Sequence, residues 1–275
     1  MSGYPDASAG LVTLHVWRVS PAALPRALWR MALDRRRLRR TPGVSFAKLL
    51  GTGRDLRFSP GNADPTRWAA VVAWDDAAAA VRFDDSPVGR AWARLATAHC
   101  RLTLRPLTSR GTWAGRDPFP VPAPPPDRTD DPVTDDPVTD GPVTDGPVTD
   151  GPVTDGPVTD GPVLVLTRAR LRPGRAAVAF WRTIPGVAAT LPTAPGLLAA
   201  FGIGEAPLGW QGTVSLWRST TDLVGFAYGR SEHRAAVTAT PLRRWYAEEL
   251  FTRFAVLDVD GDRDVLGWNG RDDRG

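Results

Sequence analysis

Residues 11–20 read LVTLHVWRVS and residues 163–173 read VLVLTRARLRP. Each is a β-rich run of about one strand's length, and each leads into a segment with helical spacing, PRALWRMALDRRRLRR (25–40) and RAAVAFWRTIPGVAA (175–189). The parallel continues. TPGVSFAKLLGTG (41–53) and RWAAVVAWDD (67–76) are answered by APGLLAAFGIGEAP (194–207) and GTVSLWRS (212–219). A helix through SPVGRAWARLATAH (86–99) and the strand CRLTLRPLTSRGTW (100–113) are answered by a helix through SEHRAAVTAT (231–240) and LRRWYAEEL (242–250), then FTRFAVLDVDG (251–261). Val44, Phe46 and Lys48 alternate with their neighbours at period two, as do Leu197, Ala199, Phe201 and Ile203, which is the strand signature. The TPG and APG signals end a helix and aim the next strand. Each half therefore reads strand, helix, strand, strand, helix, strand. The fold class is α+β: two duplicated ferredoxin-like βαββαβ units, fused in one chain and forming a dimeric α+β barrel.

Between the halves, a unit written mostly PVTDG repeats from Pro132 to Pro162. Its proline and glycine density prevents helix or ladder formation, and one valine per unit does not offset the entropy of ordering it. The expected organisation is a flexible N-terminus (1–10), an N-terminal ferredoxin-like half (11–119), a disordered proline-rich linker (120–162) and a C-terminal ferredoxin-like half (163–270). The linker has only to reach from one half to the other.

Composition narrows the chemistry. The hydrophobic content of 42% suits a globular protein. No apolar run reaches the roughly 18 residues of a membrane span, and residues 1–10 lack the layout of a signal peptide, so a cytoplasmic location is expected. One cysteine, Cys100, excludes an internal disulfide and a cysteine-built zinc site. Only Lys48 among the 34 cationic residues is lysine. The segment from Asp127 to Asp160 holds ten of the 30 acids and a single base, Arg128, leaving the remainder strongly basic. Such a surface suits an anionic membrane or an acidic protein. Without an RNA-binding signature or a zinc finger, nucleic acid is not an expected partner.

Individual motifs carry less than they suggest. His99 and Cys100 are adjacent at a strand start, which sends them to opposite faces and reads as structural; the surroundings of Cys100 are not those of a thiolate haem loop. LLGTGRD and FGIGEAPLG lack the following helix and the Gly-Lys-Ser/Thr of a phosphate loop. In DVDGDRD (258–264) the glycine and glutamate of a calcium loop are misplaced, so a solvated turn is the better reading. The helix at 24–40 places Leu24, Leu28, Met31 and Leu38 on one face. Its arginines form either a solvated back or a surface that rests on anionic lipid and brings a lipophilic substrate within reach. If Ser231 caps a helix, His233 lies in its first turn, where the dipole favours neutral imidazole. A neutral imidazole keeps the lone pair that iron needs. A partly exposed helix-start histidine is the plainer alternative.

RTPGVSFAKLLGTG, WAAVVAWDD, SRGTWAGRDPF, FGIGEAPLGWQGTVSLW, FAYGRSEHRAAV and WYAEELFTRFAVLDVDG occur in an order that resembles the spheroidene monooxygenase family, and they cover nearly everything but the linker. The resemblance implies a haem-dependent monooxygenase, carrying haem b, that takes electrons from a ferredoxin-like donor and oxidises a lipophilic acyclic carotenoid to an alcohol and then a ketone. It implies His233 as the axial iron ligand, with Val88 near the equivalent point of the first half. Arg182 is a candidate partner of a haem propionate or of bound oxygen. Phe201, Ile203, Trp210, Gln211 and Trp217 are candidate pocket residues, with ordinary core as their other reading. Two alternatives remain open at this point: haem chemistry of another kind, peroxidase-like or aldoxime-dehydratase-like, and a non-catalytic haem-binding barrel.

Overall fold

The computed structural model describes residues 10–54, 62–121, 157–159, 161–171, 191, 194–205, 210–229 and 246–268. The first half runs β1 (Leu11–Val19), α1 (Leu24–Leu38), β2 (Val44–Gly53), β3 (Ala63–Trp74), α2 (Ala77–Val81), α3 (Pro87–Ala93) and β4 (Ala96–Gly111). The second runs β5 (Val163–Leu171), β6 (Leu197–Gly204), β7 (Trp210–Trp217), α4 (Thr220–Gly229) and β8 (Tyr246–Gly261). The helices expected over 175–189 and 231–240 lie outside the described residues, as does most of the expected linker. The end of the repeat is tied down: the Pro157 carbonyl accepts from Arg253 Nη2 at 3.0 Å, and the Thr159 N–H donates to Thr220 Oγ1 at 3.2 Å.

All strand pairs are antiparallel, and the strands close into one barrel in the order β1-β3-β2-β6-β7-β5-β8-β4. Each half contributes its strands in the same order, β4-β1-β3-β2 and β8-β5-β7-β6. An isolated four-stranded sheet would leave two edges unpaired. Here the edges pair with each other. The long seam runs from Cys100↔Gly261 to Gly111↔Leu250 between β4 and β8, and the short one joins Gly51↔Gly204 and Thr52↔Ile203 between β2 and β6. The two glycine-rich stretches thus meet across this seam.

Closure gives every strand a lumen face and an outer face. Val12, Leu14, Val71, Leu102, Leu166 and Phe254 are among the buried lumen residues. The outer face of the first half carries Trp17, Trp68 and Trp74, covered by its helices, with Trp92 of α3 packed on Trp17 and Trp68. Each half also closes one mouth of the barrel with the chain that follows its last strand: Trp113 and Phe119 after β4, Val265 and Leu266 after β8. Gly111 and Gly261, both at φ 96°, turn the chain off the strand. A Cβ on Gly111 would lie 2.2 Å from the Glu249 carbonyl oxygen, and one on Gly261 would lie 2.3 Å from that of His99.

Three local expectations change. The buried stripe of α1 is Ala27, Met31, Asp34 and Leu38, while Leu28 is exposed. Asp34 belongs to it because Arg30 and Arg37 reach its carboxylate at 3.7 and 3.3 Å, so a formally polar residue occupies a core position. Residues 246–250, read as helix from their alanine and glutamates, are strand, because their ladder to Leu171–Arg168 overrides local propensity. A register shift between Leu197 and Ala199 turns Leu197 to the outer cluster while Ala199, Phe201 and Ile203 face the lumen.

Gly111→Ala and Gly261→Ala are each expected to lower unfolding free energy in urea by about 2 kcal/mol or more, from left-handed strain and backbone clash together. Gly115 has φ 71° and open space around it, so Gly115→Ala is expected to cost only about 1 kcal/mol. Equal losses at the three positions contradict the mouth-turn role of the first two.

Candidate functional site

The candidate pocket residues do not share a face. Phe201 and Ile203 are buried in the lumen, with the Arg67 guanidinium 4.8 Å from the Phe201 ring centre. Trp217 lies on the outer face, donates to Ser215 Oγ at 3.0 Å and packs on Phe226 of α4 with ring centres 5.2 Å apart. Trp210 and Gln211 lie in β7, and their side chains are outside the described residues, as are His233 and Arg182 altogether.

The two outer faces differ row by row. Across the first sheet, one row is His99, Trp17, Trp68 and Gly51, and the next is Arg101, His15, Ala70 and Leu49. The matching rows of the second sheet are Glu249, Ala169, Gln211 and Gly204, then Phe251, Thr167, Thr213 and Gly202. Trp17 is thus replaced by Ala169, Trp68 by Gln211 and His15 by Thr167. Each lost indole would cover about 150–250 Å². Thr167, Ala169, Thr213, Gly202 and Gly204 leave a floor of small side chains on the three strands β5, β7 and β6, which at a spacing of about 4.8 Å is roughly 10 Å across, with Gln211 in the same row and Glu249 and Phe251 of β8 at its edge. The Thr167 and Thr213 hydroxyls are bonded to each other at 2.5 Å. Beyond the floor, the face turns apolar at Val163, Val165, Trp217 and Phe226.

A charge network fills the lumen mouth beside Trp113. Lys48 Nζ meets Glu205 Oε2 at 2.6 Å, Trp113 Nε1 donates to Glu205 Oε1 at 2.5 Å, and Arg168 reaches the same carboxylate at 3.4 Å. Arg168 also pairs closely with Glu248, which accepts from the Gly115 N–H at 2.7 Å and from Thr112 Oγ1 at 3.2 Å. Two cations face two anions, and the contacts cross between halves, so the network is a lock on barrel closure. Burial pushes the Glu248 carboxyl up, but the Gly115 N–H and Arg168 outweigh it and hold the group below its usual value. This cluster escaped sequence reading. Its one visible signal was the lone lysine at an inward position of a period-two strand.

The described histidines have structural partners. His15 Nδ1 lies 3.3 Å from His99 Nε2, and His15 Nε2 lies 3.2 Å from Thr13 Oγ1, which accepts from Trp74 Nε1 at 2.9 Å. His15 and His99 stack on Trp17. Burial first, then the neighbouring His99 and Arg101, hold the His15 pKa well below its ordinary value. His99 is lowered too, again chiefly by burial. Cys100 points the other way, into the lumen, where burial pushes its thiol up to about 11. That is an inert thiol. Among the described residues, no group of three or more His, Cys, Asp or Glu is placed to hold a metal ion, and no helix is long and apolar enough to cross a membrane.

This architecture is that of a double α+β barrel. Aldoxime dehydratase shares it at a TM-score of 0.56 and 15% identity, over 91% of this chain and 82% of that one; a second, crystallised with butyraldoxime, gives 0.53 and 12%, over 92% and 81%. Those likenesses concern fold alone. No protein-family model matches the chain. Sequence relatives are more specific: the chain is 32% identical over 255 residues to spheroidene monooxygenase of Rhodobacter capsulatus, covering 91% of this chain and 89% of the relative. The same-named protein of Rubrivivax gelatinosus is 30% identical over 84% of this chain and 73% of its own length. The chain therefore belongs to the spheroidene monooxygenase family, and it is a monooxygenase by that kinship.

The histidine pair makes stability depend on pH. The unfolded chain takes up protons near pH 6.5 or so that folded His15 and His99 resist, so their contribution is complete above that pH and is lost as pH falls through it. His15→Gln should flatten the decline of the urea midpoint on acidification from neutrality, while lowering the midpoint at neutral pH. An unchanged slope contradicts a neutral buried pair.

Proposed function

We propose that the outer face of the second half binds haem b, with His233 as the axial ligand, and that the enzyme oxidises a lipophilic acyclic carotenoid near its end, to the alcohol and then the ketone. The observation that carries this reading is the floor of Thr167, Ala169 and Gly202, where the first half has His15, Trp17 and Leu49. A planar ring system lying against the sheet would need such a floor.

The donor set agrees. Of three histidines, His15 and His99 are engaged with each other beneath the helices of the first half. The lone cysteine is buried on the lumen side with its thiol protonated. His233 remains. Helix α4 packs Leu223 and Phe226 on the outer face of the second sheet and ends at Gly229, four residues before His233 in the sequence. When bound, haem supplies the dioxygen activation that oxygen insertion requires. The protein's part is to offer neutral imidazole and a floor without competing bulk, backed by the buried apolar cluster of Val163, Val165, Trp217 and Phe226 that fixes α4 on the sheet. Arg182 is assigned to a propionate or to bound oxygen. Each oxidation consumes one dioxygen, two electrons and two protons; the first releases one water, the second releases two, one of them from collapse of the geminal diol to the ketone, and a ferredoxin-like protein is the proposed donor.

Restoring the first-half side chain tests the floor. Purified parent protein should bind added haem and show its intense near-violet band; His233→Ala should shift or weaken that band, and Ala169→Trp should abolish binding with the far-ultraviolet dichroism of the fold intact. Cells that make an acyclic carotenoid should accumulate oxygenated pigment with the parent and not with either variant. A parent that stays colourless after haem-supplemented expression, or an Ala169→Trp variant that loads haem fully, overturns the reading.

A further inference from the structure

Helix α1 has two faces with opposite demands. Ala27, Met31, Asp34 and Leu38 are buried against the protein. On the far side Leu28 is 60% exposed, Trp29 65% and Leu33 37%. At about 100° per residue, Trp29 and Leu33 share one stripe with Arg36, flanked by Leu28 on one side and exposed Arg26 on the other, and exposed Arg40 follows the helix end. Asp34 is the helix's only acid, and it is fully buried between Arg30 and Arg37. The outward face is therefore tryptophan, leucine and arginine with no carboxylate.

We propose that this face docks the enzyme on a bilayer surface bearing anionic headgroups, with Trp29 and Leu33 in the headgroup boundary, Leu28 at its edge, and Arg26, Arg36 and Arg40 against lipid phosphates. The composition is that of an interfacial amphipathic helix. Charge complementarity favours an anionic partner, and area favours a lipid one. A 15-residue helix is about 22 Å long and 10 Å wide, so its strip offers roughly 200 Å², well short of the ~800 Å² per partner of a stable protein interface. A fluid bilayer needs no such area, because apolar insertion and diffuse charge act together.

Flotation of the full chain with phosphatidylcholine vesicles, with and without phosphatidylglycerol, tests this. Binding is expected only with phosphatidylglycerol and should weaken with salt. Because these side chains are exposed, Trp29→Ser/Leu33→Ser and Arg26→Gln/Arg36→Gln/Arg40→Gln should keep the parent's melting temperature. The apolar pair should lower vesicle affinity about tenfold or more, and the arginines by roughly fivefold each. Failure of the parent to bind anionic vesicles, or undiminished binding by both variants, overturns the proposal. Binding to soluble polyaspartate without binding to vesicles also overturns it and assigns the face to an acidic protein. Neither haem nor carotenoid enters the assay, so its outcome is independent of the proposed reaction.

Discussion

The antiparallel ladder between β4 and β8 is the contact on which the rest of this molecule depends. Pairing from Cys100↔Gly261 to Gly111↔Leu250 joins two sheets that would otherwise end in open edges, and it fixes which residues of every strand face inward. The lumen then packs as one core from both halves. The outer faces are left free to diverge. Aromatic rings fill the first, and small side chains pave much of the second.

Polar residues follow the same division. Lys48, Arg168, Glu205 and Glu248 neutralise one another at a mouth of the barrel and tie the halves together. Removing one member of such a buried network would strand its partner's charge, a cost of about 3–5 kcal/mol. His15 and His99 are likewise absorbed into the first outer layer. With these groups committed, the outer face of the second half is where we propose that the cofactor binds.

Much of the architecture was legible in the sequence because duplication doubled each signal. LVTLHVWRVS and VLVLTRARLRP occupy equivalent strands, and the shared order of elements was readable once the halves were lined up, with period-two alternation and the TPG and APG signals in support. Less was legible where one interaction outweighed local preference. The Ala-Glu-Glu-Leu run of β8 favours helix until its ladder to β5 is counted. Asp34 reads as solvent-facing until Arg30 and Arg37 are seen around it. The lumen network was hidden because its members are distant in sequence and ordinary in type. The paved floor was hidden for another reason: it is a pattern of missing bulk, visible only when Trp17 is set against Ala169 and His15 against Thr167 in register. His233 and Arg182 rest on the family resemblance and on chemistry, since both lie outside the described residues.

The central claim is that the second outer face, and not the first, receives the cofactor. Amide hydrogen exchange of the full chain with and without added haem tests it most directly. The account predicts new protection in α4, in β5 and β7, and in the peptide containing His233, with β1, β3 and α1 unchanged. Protection confined to the first half, or none in the second at saturating haem, would contradict it.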